Sequence, residues 1–128
     1  MALNKNDILG LDDIKIKELV VPEWDGTIHI KQLTRGQADG YYNRRFGKSQ
    51  MSQSGRKSEV ETPITLFGHD AWIVAQGVCD ESGKRIFSNS DAKALDEKNG
   101  NAIGFIAVQI IKFSGMSQDV EELEDLKN

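Results

Sequence analysis

The stretch "VVPEWDGTIHI", residues 20 to 30, decides the fold. Apolar residues on both sides of Asp25-Gly26 are a strong short-range hairpin signal, because glycine reaches positive φ without steric cost. A two-residue Asp25-Gly26 loop would pair Pro22 with His29 where the ladder needs an N–H that proline lacks. A three-residue loop, Trp24-Asp25-Gly26 with Gly26 left-handed in a bulge, moves Pro22 opposite Ile28, where no donor is required. That register predicts Val20, Pro22, Ile28 and Ile30 on one face and Val21 and His29 on the other. Trp24 is carried out on the loop.

Outward from the hairpin, "IKIKELVVPEW" (14–24) and "TIHIKQL" (27–33) alternate as the strands of a half-buried antiparallel ribbon. Two strands alone are marginal, so helices must cover them. Thr34 and Gln37 have capping-box spacing and open a helix through "RGQADGYYNRRF" (35–46), although Gly36 and Gly40 each cost it about 1 kcal/mol relative to alanine. Thr62 as N-cap and Pro63 at the first helical position predict a second helix to about Val78, with Phe67, Ala71, Val74 and Val78 inward and Trp72 and Ile73 widening the stripe. "CDESGKRIF" (79–87) reads as a turn or small hairpin around Ser82-Gly83. Ser88 or Ser90 caps a short helix through "DAKALDEK" (91–98), with Asp91 at its positive end. "AIGFIAVQIIKF" (102–113) is apolar nearly all round, which predicts the central core helix, ended by Gly115. The fold class is α+β: an N-terminal antiparallel β-hairpin packed on a small bundle of about four to five helices.

With 128 residues, 1–128 is expected to form a single domain that buries about two-thirds of its unfolded surface. Residues 1–13 read as a loosely ordered lead with apolar anchors at Leu3, Ile8 and Leu11. Residues 47–61, rich in Ser, Gly, Gln and Lys, read as a flexible loop. Residues 117–128 read as an acidic C-terminal helix with Val120, Leu123 and Leu126 in a narrow seam. The longest apolar run is about half of what a bilayer requires, and the N-terminus lacks the regions of a signal peptide. These features predict a cytosolic chain that meets no membrane. One cysteine, Cys79, excludes an internal disulfide and offers no thiolate cluster for zinc.

His69, Asp70 and Cys79 are the one set of residues that suggests nucleophilic catalysis. Ten residues of helix separate His69 from Cys79, about 15 Å at 1.5 Å per residue, so the pair cannot meet without a break between them. Two distant histidines make no metal motif, and the glycines follow no phosphate-binding pattern. The expectation is therefore no enzyme, no cofactor, no metal and no small-molecule substrate. Residues 40–58 hold Arg44, Arg45, Lys48, Arg56 and Lys57 without an acid. With Tyr41 and Tyr42, this segment would suit a small nucleic-acid-binding regulator, a class that the net charge of −4 disfavours. Trp24, Tyr41, Tyr42, Arg44, Arg45, Val120 and Leu123 are the candidate partner-binding residues, since aromatics and arginines are enriched at binding hot spots.

These segments, in this order, are similar to a known family. "NDILGLDDIKIKELVVPEWDGTIHIKQLT" (6–34) resembles the opening of tail assembly chaperones from long-tailed bacteriophages, which carry a "VPEWGG"-like hairpin and a leucine-threonine step into helix. "VCDESGKRIFSNSDAKALDEKN" (78–99), an apolar helix and "SGMSQDVEELED" (114–125) resemble their second half. Asp25 stands where a glycine is usual in the family, and the polar insert is long. The resemblance implies a phage or prophage protein that acts in the cytoplasm of the bacterial host and is absent from the mature virion. It implies one that binds the tape measure protein, keeps it from aggregating and yields it as the tail tube polymerises, with the major tail tube protein as a further candidate partner. Self-association stays open, as does a structural minor tail protein retained in the particle.

Overall fold

The computed structural model describes residues 2–46 and 68–116. A short helix α1 (Lys5–Leu9) precedes strands β1 (Ile16–Val21) and β2 (Gly26–Lys31), helix α2 (Arg35–Phe46), helix α3 (His69–Gly77), strand β3 (Val78–Cys79), helix α4 (Ala92–Leu95) and helix α5 (Gly100–Phe113). The strands form one antiparallel sheet in the order β1-β2-β3. The architecture is the expected α+β, with the hairpin extended by a two-residue third strand.

The hairpin forms where expected but in another register. Val21 pairs with Gly26, Val20 with Thr27 and Leu19 with Ile28. The loop is four residues long: Pro22–Trp24 make a 3-10 turn and Asp25 adopts the left-handed conformation (φ 48, ψ 45), its N–H bonded to the Pro22 carbonyl. The chain thus lifts Pro22 out of the ladder altogether, and Asp25 rather than Gly26 takes the positive φ, which aspartate tolerates better than most residues. Relative to the three-residue loop, β1 slides by an odd number of positions, and each such step exchanges its faces. Val21 is therefore fully buried with Ile30, and Val20 is 63% exposed, the reverse of the expectation for both valines.

One hydrophobic cluster joins the sheet to the helices: Val21 and Ile30, Leu33, Ala38 and Tyr41, then Ala71, Ile73, Val74 and Val78, Leu95, and Ala102, Ile103, Ile106, Ala107 and Ile110. Thr34 and Gln37 make the expected reciprocal cap of α2 at 3.0 and 3.1 Å. The Thr62 and Pro63 cap and Phe67 lie outside the described residues. Helix α3 begins at His69, with Gly68 at its N-cap in the left-handed conformation (φ 83). From Ala71 to Gly77 all but Trp72 are buried, as the wide apolar stripe foretells. Ser88 and Asp91 form a capping box that leads through a 3-10 turn into α4. Asn99 caps α5 by accepting the Ala102 N–H at 3.0 Å, and Gly115 (φ 74) ends it.

Two polar arrangements lock the elements together. Gln32 accepts the Lys15 N–H and donates to the Phe113 carbonyl, while the Leu33 N–H reaches the Ser114 hydroxyl, so the open end of the hairpin is tied to the C-terminus of α5. Buried Gln76 accepts from Gln37 and donates to Asn89 at 2.6 Å, satisfying both ends of its amide. Arg85 closes this second network with two bonds to the Ala75 carbonyl, at 3.0 and 2.8 Å, and one to Asn89. Arg85→Ala should lower stability by about 1.5–3 kcal/mol, the range for hydrogen bonds to a charged group, as read from the urea midpoint. Arg85→Lys should recover only part, since one ammonium replaces a fork of donors.

Candidate interaction surface

The 3-10 turn at the hairpin tip holds Trp24 at 38% exposure while packing against α5. The tip thus has one side seated on the fold and the indole half in solvent. Its neighbours Glu23 and Asp25 are exposed acids.

Helix α2 divides the aromatic and basic candidates. Tyr41 is fully buried, with its ring edge-on to His69 at 6.4 Å and tilted against Tyr42 at 6.0 Å. Its hydroxyl accepts from Arg45 Nη1 at 2.6 Å, and Arg44 lies over the Trp72 ring at 5.6 Å. Arg35 lies over the Tyr42 ring at 5.7 Å. Tyr41 is therefore a core residue rather than a docking group, and Tyr42 is the member of the pair that reaches the surface. Successive residues of a helix point about 100° apart, so the two adjacent tyrosines need not share a face, and Tyr41 is the one turned inward. Val120 and Leu123 lie outside the described residues, as does most of the basic segment.

Helix α5 departs from the expectation of an all-round apolar helix. Ala102, Ile103, Ile106, Ala107 and Ile110 are buried, whereas Phe105 (36%) and Val108 (46%) stand in solvent. With exposed Asn101 and Lys112 they fall at i, i+4, i+7 and i+11, one continuous stripe. The two polar residues at the ends of this stripe are the signal in the sequence that would have marked it. A second apolar group is displayed by the lead: α1 is closed by a reciprocal Asn4–Asp7 cap, yet buries none of its residues, and Leu3, Ile8, Leu9 and Leu11 are all exposed. Leu3, Ile8 and Leu11 do not anchor the lead to the core.

The residues that suggested nucleophilic chemistry are not assembled. Cys79 ends β3 opposite His29, while His69 opens α3 beside Tyr41. The Asp80–Arg85 turn folds back over Cys79, and Gly83 comes so close to Ile16 that a Cβ there would sit 2.7 Å from Cδ1. Burial pushes the Cys79 thiol up, with Lys31 opposing and Asp80 adding to it. Below the ordinary thiol pKa both the folded and unfolded chains keep the proton, so the shift has no effect there. Above it the unfolded chain ionises first, and stability falls as pH rises toward the folded value. Alkylation of Cys79 at pH 8 should accordingly be much slower in native protein than in urea, as followed by mass spectrometry. Among the described residues no group of three or more His, Cys, Asp or Glu is placed to hold a metal ion. No helix among them is long and apolar enough to cross a membrane.

Fold and surface together define a small α+β protein whose distinctive feature is apolar side chains held in solvent at a hairpin tip, on one helix face and on a capped lead. The chain belongs to the phage tail assembly chaperone family, whose family model matches residues 9–125. Among solved structures it is similar to the bacteriophage HK97 tail assembly chaperone, at 17% sequence identity and a TM-score of 0.54, over 78% of this chain and 85% of that one. At that identity the likeness concerns the fold. A comparison with curated proteins found no match.

Proposed function

We propose that this chain binds the tape measure protein of its phage in the host cytoplasm, keeps that protein's apolar segments from aggregating, and is displaced as tail tube subunits polymerise around it. It does so by covering surface, without catalysing a reaction. The observation that carries this reading is the family match over nearly the whole chain. The apolar side chains left in solvent supply a physical means, since exposed apolar groups beyond isolated ones mark interaction sites. A net charge of −4 helps keep a coated complex dispersed. Weak binding by each copy suffices, because many copies on one long client give persistent coverage through avidity while each contact stays reversible.

Arg44 and Arg45 are already engaged by Trp72 and Tyr41, and the buried Tyr41 ring is no platform for a base, so the described part of the basic segment does not favour the nucleic-acid reading. The test is co-expression of this chain with the tape measure protein encoded by the same phage. The soluble fraction of that protein should rise several-fold, and an unchanged soluble fraction would overturn the proposal.

A further inference from the structure

Helix α5 packs against both hairpin strands and the 3-10 turn between them. At the C-terminal end, Lys17 sits over the Phe113 ring at 4.7 Å and Gln32 bonds the Phe113 carbonyl. From Lys17 to Pro22 the strand climbs roughly 17 Å, and the 3-10 turn at that other end of the strand also packs against α5. Trp24 thus stands on a turn seated against the same helix that presents Phe105 and Val108 to solvent. Charge along this strip is divided. Glu23 and Asp25 flank Trp24, and the carboxylate of exposed Asp70 lies on the other side of α5, 3.9 Å from where a Cβ on Gly104 would stand. Lys17 and Lys112 occupy the far end.

We infer that Trp24, Phe105 and Val108 form a docking strip for an amphipathic helix whose apolar stripe is bordered by basic residues at the end that meets Glu23, Asp25 and Asp70. The inference rests on the client-shielding function proposed above and specifies the client segment by its chemistry. A helix laid along α5 would bury the three apolar groups, and its basic border would satisfy the acids at the tip while the lysines at the other end exclude the reverse orientation.

The probe is a pair of 20-residue helical peptides with the same leucine stripe, one with arginines at its flanks and one with glutamates. The full chain is used as a Trp72→Phe variant, in which Trp24 is the one indole left of the two in the sequence. The arginine peptide should shift Trp24 emission to the blue in a saturable titration, and the glutamate peptide should bind at least about tenfold more weakly. Adding Phe105→Asp and Val108→Asp should weaken the arginine peptide at least about tenfold with circular dichroism unchanged, since both side chains stand in solvent. Glu23→Gln with Asp25→Asn, which removes charge yet keeps a residue tolerant of the left-handed turn, should narrow the difference between the peptides. Equal binding of the two peptides, or undiminished binding by the aspartate variant, would overturn the strip. If that same variant still solubilises the tape measure protein, only the strip fails. Loss of solubilisation by the unmodified chain is the separate result that removes the proposed function.

Discussion

Tyr41→Ala is expected to destabilise the fold by about 3–5 kcal/mol, the range for deleting a fully buried aromatic side chain. Domains of this size have about 5–15 kcal/mol in total, so the variant should unfold at far lower urea and leave a visible unfolded fraction without denaturant. Tyr41 has no exposed surface, meets the rings of Tyr42 and His69, and takes the Arg45 guanidinium on its hydroxyl. Alanine would remove the ring contacts and the acceptor together, and the cavity would lie where α2 meets the core. Tyr41→Phe separates the two parts: it keeps the ring and loses the acceptor for Arg45, at a cost of about 1.5–3 kcal/mol. A residue free in solvent would show less than about 0.5 kcal/mol for either change, so the pair of urea curves decides whether Tyr41 is core or surface.

Gly77→Val is the second large effect, expected at about 3 kcal/mol. A Cβ on Gly77 would stand 2.7 Å from Ile110 Cδ1, 2.8 Å from Cγ2 and 3.0 Å from Cγ1, so any side chain there forces α3 and α5 apart. The clash is shared between two positions, and their substitutions should therefore not add. Gly77→Ala in an Ile110→Val background should cost less than the sum of the single changes, because the shorter side chain removes the nearest offending carbon. Thermal melts of the four proteins of that cycle measure the coupling directly. Full additivity would mean that the helices do not approach as closely as Gly77 and Ile110 indicate.

The same close packing explains what the sequence revealed and what it hid. Local signals acting within one element were legible: the Thr34–Gln37 cap, a serine start at Ser88 for the short helix, the apolar segment that becomes α5 and the stop at Gly115. The hairpin position was also legible from Asp25-Gly26. Its register was not, because it depended on how the chain would dispose of Pro22, and a 3-10 turn with Asp25 left-handed competes closely with a glycine bulge. That single choice moved Val21 into the core and Val20 out of it. β3 was hidden because Val78 and Cys79 are too few to show alternation and continue an apolar run that reads as helix. Which of Tyr41 and Tyr42 faces inward is set by the approach of α3, not by α2 itself. On the surface, Trp24 was legible from its loop position. Phe105 and Val108 were missed because apolar composition alone does not show which side of a helix lacks a neighbour. The family was readable from the order of segments, each of which is weak by itself.

The central claim is that this chain covers a client's apolar surface and then lets go. The most direct measurement is sedimentation of a purified complex with the tape measure protein, before and after tail tube subunits are added. The chain is expected to travel with the client at first and to appear as free protein in step with tube growth. A chain that never co-sediments, or one that stays on the finished tube, would contradict the claim.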